Sequence, residues 1–107
     1  MLTEKDYCDY DTCVALKELG YPLTSKEVRY EDKAVFAPSV LLYTAQKWLR
    51  KEKGIEIVVH SFDYVGEPYF ADIHMYREVR CACSYADSYE EALLEGIKET
   101  IKHIEII

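Results

Sequence analysis

The cysteines are the residues whose type points most directly to chemistry. Cys81 and Cys83 stand one residue apart in the stretch CACSYADSYEEALLEGI, and Cys8 and Cys13 lie near the other end of the chain. Structural zinc sites usually take four ligands, arranged as Cys-x2-4-Cys pairs on turns. The Cys-x4-Cys pair here falls at a predicted helix start. The Cys-x-Cys pair falls in a predicted strand, where residues i and i+2 on one face are about 7 Å apart.

These spacings match neither a zinc site nor a redox motif. The Cys-x-x-Cys that lowers a thiol pKa at a helix N-terminus is missing, which argues against thiol redox chemistry. Cysteine is also among the residue types most often found buried. We therefore interpret the four cysteines as reduced core thiols, and we expect no metal and no cofactor.

A histidine and a carboxylate form the second candidate site. The strands predicted below pair Phe62 with Phe70, and this register sets His60 opposite Asp72. Such a pair beside a tyrosine could perform general acid–base catalysis, but it is also an ordinary cross-strand pair on a half-solvated sheet face. No nucleophile motif and no glycine-rich phosphate loop accompanies it. We therefore expect a non-enzymatic protein whose partner, either another protein or a second copy, binds the face that carries His60, Phe62, Phe70, Asp72, His74 and Tyr76.

A basic cluster in the segment KWLRKEK gives an alternative function. Clustered positive side chains on a helix could bind phosphates, although positive charge at a helix C-terminus also complements the macrodipole. The net charge of −7 has the wrong sign for broad contact with a nucleic acid. Nucleic-acid contact therefore remains the alternative to protein binding, and it would use Lys47, Arg50, Lys51 and Lys53.

Hydrophobic periodicity predicts the elements that must position these residues. Asp9 or Asp11 can cap the first helix, Pro38 suits the first turn of the second, and Ser88 with Glu91 has the pattern of a capping box before the third. The segments are helices at about 10–19, 39–53 and 88–104, strands at about 55–62, 69–76 and 79–85, and an optional hairpin from about 28–30 and 34–36.

This order predicts a single α+β domain over residues 1–107, in which a three-stranded antiparallel meander packs in two layers against about three helices. The register of the third strand stays open, because the turn at Arg77 and Glu78 contains no glycine to fix it. Gly96 lies inside the last helix, and close helix–sheet packing would explain it.

Composition sets the remaining limits. A chain of 107 residues with 50% apolar and 31% charged residues is typical of one soluble domain. The ten tyrosines fit half-buried sheet faces and interfaces. No run of about 18 apolar residues indicates a membrane span, and the N-terminus lacks a signal-peptide pattern. We therefore expect a cytoplasmic protein whose cysteines stay reduced.

Three segments also carry a resemblance to a known group. DTCVALKELGY, APSVLLYTAQKWLRKEKGI and SYEEALLEGIKETI resemble small uncharacterised proteins encoded by phages, prophages and conjugative elements of gut bacteria. The shared features are Ala-Pro followed by a late Trp-Leu-Arg, and a closing Tyr-Glu-Glu-Ala-Leu. This chain departs from the group where apolar residues follow Ser39. The resemblance implies an origin in a mobile element, and it brings no assigned activity and no functional residues.

Overall fold

The computed structural model describes residues 4–24, 27–31, 35–61, 69–75, 78–82 and 85–106. After a 3-10 turn at Glu4–Asp6, the elements in chain order are α1 (Tyr10–Glu18), β1 (Val28–Glu31), β2 (Val35–Pro38), α2 (Leu42–Lys53), β3 (Ile55–Ser61), β4 (Tyr69–Met75), β5 (Glu78–Ala82) and α3 (Tyr89–Ile106). The predicted α+β class is confirmed.

The strands form two antiparallel sheets. β1 and β2 make a two-stranded sheet, which confirms the optional hairpin, and β3, β4 and β5 lie side by side in that order. The β4–β5 pairing has an irregularity between Ile73 and His74.

The predicted register of β3 against β4 is wrong by two residues. Phe70 pairs with His60 rather than with Phe62, and Asp72 pairs with Val58. An even shift keeps every side chain on its original face, so alternation alone could not detect the error. In the observed register the apolar residues of β3 oppose Met75, Ile73 and Ala71. The predicted register would have set Ile55 opposite Arg77.

α3 crosses β3 and β4 at close range because Gly96 lacks a side chain. A Cβ built at this position would lie 2.7 Å from Ile57 Cγ2 and 3.0 Å from Ala71 Cβ. The largest fully buried side chains include Leu16, Leu42, Leu49, Ile57, Ile73, Leu93 and Ile97, so the core lies between the helices and one face of the sheet. Close packing of α3 on this face therefore explains the interior glycine.

α2 begins three residues later than predicted. Pro38 is the last residue of β2 and does not open the helix. The backbone N–H of Ser39 donates to the Glu27 carbonyl at 2.6 Å, and the Val40 carbonyl accepts from the Cys8 N–H at 2.8 Å. Leu41 is extended, with φ −65° and ψ 141°. Hydrogen bonds to distant segments thus hold residues 39–41 out of the helix. Its C-terminal end is as predicted, because Gly54 caps it with φ 67°.

The other two helices begin with the predicted caps. Asp9 Oδ1 accepts a hydrogen bond from the Thr12 N–H at 2.9 Å, and Ser88 Oγ accepts one from the Glu91 N–H at 3.1 Å. Within the part of the chain that the structure describes, no helix is both long and apolar enough to span a bilayer.

Candidate functional site

The sheet face that points away from the helices carries most of the predicted site. Burial alternates along β3 and β4, so that Ile57, Ala71 and Ile73 are buried while the residues between them keep partial exposure. We call this second face the outer face. Its described members on β3 and β4 are Glu56, Val58, His60, Phe70, Asp72 and His74. Phe62 and Tyr76, which were also predicted here, lie outside the described residues.

Three rings form an aromatic row on the outer face. The His60 ring stacks on Phe70 with a centroid distance of 4.8 Å and an interplanar angle of 18°. Tyr85 contacts Phe70 edge-on, with a centroid distance of 5.4 Å and an interplanar angle of 62°. The Tyr85 side chain remains 53% exposed. The aromatic row, defined by His60, Phe70 and Tyr85, is thus open to solvent at its Tyr85 end.

Tyr85 was not among the predicted site residues. It was assigned to the end of the third strand, whereas β5 ends at Ala82. Backbone hydrogen bonds between Tyr69 and Ala86, of 3.2 and 2.7 Å, hold the following segment beside β4. This long-range pairing brings Tyr85 to Phe70. The sequence around Tyr85, SYADSY, is rich in tyrosine and serine but does not reveal this pairing.

His60 and Asp72 do come together, although not as directly opposed residues. His60 Nε2 lies 2.8 Å from Asp72 Oδ2, across a diagonal of the sheet. Nε2 is buried and has no hydrogen bond of acceptable geometry within the described residues, so its N–H direction misses the carboxylate. The contact is therefore an ion pair when the imidazole is protonated. Aligned proton transfer, which general acid–base catalysis needs, does not follow from this geometry.

The four basic residues of α2 lie within roughly 160° of the helix circumference, at about 100° per residue. Arg50 Nη1 lies 3.5 Å from Glu56 Oε1 of the outer face. Lys53 Nζ lies 5.5 Å from the centre of the Trp48 ring. Lys47 and Lys51 are exposed. Glu56 therefore offsets part of the positive charge at this end of α2.

The described cysteines are buried, as predicted. Cys8 and Cys13 are free thiols with 6% and 0% exposure. The Cys81 side chain and all of Cys83 lie outside the described part of the chain. Among the residues that the structure describes, no three His, Cys, Asp or Glu side chains form a group that could hold a metal ion.

A groove of about 250 Å³ lies between α1 and α3, away from the outer face. Its two lysines already have acidic partners, because Lys98 Nζ lies 2.9 Å from Asp9 Oδ2 and Lys102 Nζ lies 3.1 Å from Glu99 Oε1. Ala15 and Ile101 supply its apolar lining. The groove therefore offers no uncompensated charge to a ligand at these two lysines.

Hydrogen bonds to the Glu27 carboxylate hold the described part of the loop after α1. The Tyr21 hydroxyl donates to Glu27 Oε2, and the Thr24 N–H and hydroxyl both donate to Glu27 Oε1. Burial, followed by the bond to Glu27, raises the pKa of Tyr21. The Tyr21 ring also meets Trp48 edge-on at 5.4 Å. These contacts of Tyr21 and Glu27 were not predicted from the sequence, and they attach the loop to α2.

Comparisons with protein-family models, curated proteins and solved structures find no match to this chain.

Proposed function

We propose that the protein is a small interaction protein without enzymatic activity, and that it self-associates through the outer face. The observation that supports this most is the aromatic row, which ends in the exposed ring of Tyr85. Tyrosine and phenylalanine are enriched at the centres of interfaces, because their large rings exclude water while losing little conformational entropy. A second molecule would cover these rings.

A local charge pair limits the repulsion between two copies at this face. Each chain carries a net charge of −7, so two copies repel each other over most of their surfaces. Beside the outer face, Arg50 Nη1 lies 3.5 Å from Glu56 Oε1. This pair reduces the net negative charge where two copies would meet. A two-fold axis would also set the same aromatic row against itself, as an isologous dimer requires.

Substitution at the exposed end of the row tests this proposal. Tyr85→Ser removes a ring that is 53% exposed, so it should leave the fold intact. Tyr10→Ser is the matched control, because Tyr10 is 60% exposed on α1 and lies outside the aromatic row. Light scattering on a size-exclusion column would give the dissociation constant of each variant over a range of concentrations.

The expected result follows from the energy of interface aromatics. Loss of an aromatic hot spot from an interface costs more than about 1 kcal/mol. Both copies lose the ring, which doubles the cost to about 2 kcal/mol, so the dissociation constant of the Tyr85→Ser dimer should rise at least about thirtyfold. Tyr10→Ser should match the wild type. Equal dimerisation of all three proteins would refute the proposed interface.

The proposed origin in a phage or another mobile element rests on the resemblance of the three sequence segments. Phage or conjugation genes next to its coding sequence would support this origin, and a chromosomal housekeeping context would contradict it.

A further inference from the structure

The start of α1 brings two thiols together. Asp9 is the N-cap, so Cys8 occupies the position before the cap and Cys13 the fourth position of the helix. These are the two positions of a hydrophobic staple, whose side chains pack against each other across the first turn. Cys13 Sγ lies 3.6 Å from the Cys8 carbonyl oxygen, and both residues are buried. A staple needs only two apolar side chains, yet both are thiols here.

We propose that Cys8 and Cys13 form a thiol-modification site, which low-molecular-weight disulfides such as oxidised glutathione convert reversibly into an intramolecular disulfide. This site lies on α1 and is independent of the outer face. The bond would form between segments that are already in contact, because the Cys13 sulfur lies 3.6 Å from the Cys8 carbonyl oxygen. The absence of a Cys-x-x-Cys motif does not exclude a Cys8–Cys13 disulfide, because the hydrophobic staple brings these two cysteines together.

The two thiols differ in how readily they lose a proton. The Cys8 thiol donates toward Cys13, which raises the pKa of Cys8 and lowers the pKa of Cys13 to about 7. The backbone N–H of Val40 also donates toward the Cys13 sulfur and lowers its pKa further. The thiolate is the nucleophile in disulfide exchange, so Cys13 attacks and Cys8 completes the exchange.

An oxidant reaches these sulfurs by local opening of the N-terminal segment. Residues near Cys8 are held by the Cys8 N–H bond to the Val40 carbonyl and by the bridge between Tyr7 and Leu41. A local opening that breaks these few contacts needs less free energy than unfolding of the core. When this segment is released, the Cys8 backbone moves away from Cys13. The Cys13 sulfur then becomes accessible to solvent while α1 stays folded.

The chemistry balances in two exchange steps. The Cys13 thiolate attacks one sulfur of the small disulfide, forms a mixed disulfide, and releases a thiolate that takes up the proton lost by Cys13. The Cys8 sulfur then attacks Cys13, forms the Cys8–Cys13 bond and releases the second small thiol, which carries the Cys8 proton. Two protein thiols are oxidised, and one small disulfide is reduced to two thiols.

Peptide mapping of the wild-type protein tests the site without any substitution. The folded protein is equilibrated with reduced and oxidised glutathione at several ratios, alkylated with iodoacetamide and digested with trypsin. Cleavage after Lys5 and Lys17 releases a fragment with Cys8 and Cys13, and cleavage after Arg80 and Lys98 releases a separate one with Cys81 and Cys83. The two pairs therefore report independently.

The fragment of residues 6–17 should lose two hydrogens and escape alkylation as the oxidised fraction rises, and dithiothreitol should reverse this. A doubly alkylated fragment at every ratio would overturn the proposal. So would a disulfide that forms only after urea has unfolded the protein.

Single substitutions test whether the two thiols act as a pair. Cys8→Ala should trap glutathione on Cys13, and Cys13→Ala should trap it on Cys8, because each variant lacks the thiol that would resolve the mixed disulfide. A fragment of residues 6–17 without glutathione in both variants would contradict exchange at these thiols.

Discussion

Gly96→Ala measures how closely α3 packs on the sheet. In the wild-type protein the Cα of Gly96 faces Ile57 and Ala71, and an added Cβ would lie 2.7 Å from Ile57 Cγ2 and 3.0 Å from Ala71 Cβ. Both distances are shorter than ordinary carbon–carbon contact, which is about 3.5–4.0 Å. The helix or the sheet must therefore move to accept one methyl group.

Two opposing terms set the size of the effect. Replacing glycine by alanine inside a helix gains about 1 kcal/mol of helix propensity. Overpacking a core typically costs about 1–3 kcal/mol. The upper end applies here, because Ala71 Cβ is fixed to the backbone of β4 and cannot rotate away. The net expectation is a loss of about 2 kcal/mol in the free energy of unfolding, or roughly 8–10 °C in Tm for a chain of this size.

Urea unfolding followed by circular dichroism gives this free energy directly. Glu95→Ala is the matched control, because Glu95 precedes Gly96 in α3 but is exposed, and its effect should stay within about 0.5 kcal/mol. If Gly96→Ala proved as stable as the wild type, or more stable, the close contact of α3 with β3 and β4 would be wrong.

The remaining predictions concern the start of α1 and the hydrogen bond from Tyr21 to Glu27. Asp9→Ala should lower the free energy of unfolding by about 1 kcal/mol at neutral pH, because the Thr12 N–H loses its cap, whereas Asp9→Asn should retain most of it. Burial alone would raise the pKa of Asp9, but the hydrogen bonds from Thr12 and Lys98 outweigh burial and lower the pKa. The charge-dependent part of this stability is thus present above about pH 4 and lost as pH falls through the depressed pKa. Urea unfolding at several pH values checks this, and an Asp9→Ala deficit that grows in acid would contradict it. Tyr21→Phe should cost about 1–2 kcal/mol by the same assay, because Glu27 loses a donor while the ring keeps its contact with Trp48. It should also remove a tyrosine that ionises above the ordinary range in an alkaline absorbance titration, and an unchanged titration curve would contradict the raised pKa of Tyr21.

The features that sequence predicted well are those set by local chemistry. Asp9 and Ser88 cap their helices through the N–H three residues later, and Gly54 ends α2 with a positive φ. Each needs only its immediate neighbours. Alternation along β3 and β4 likewise predicted which residues are buried on one face, because side chains in a strand alternate with a period of two.

The features that sequence missed depend on distant partners. The start of α2 is set by bonds to Glu27 and Cys8 rather than by Pro38. The register of β3 against β4 differs by an even shift, which alternation cannot detect. Tyr85 joins the outer face through the bridge between Tyr69 and Ala86. The sequence therefore predicted which residues share the outer face, but it did not predict the aromatic row on that face.

Sedimentation equilibrium of the wild-type protein tests self-association most directly. The chain has a mass of 12.5 kDa, and the account predicts an average mass that rises toward twice this value with concentration and returns toward 12.5 kDa on dilution. It further predicts that Tyr85→Ser shifts this rise to higher concentration. A mass that stays at 12.5 kDa at every concentration would contradict the proposed function.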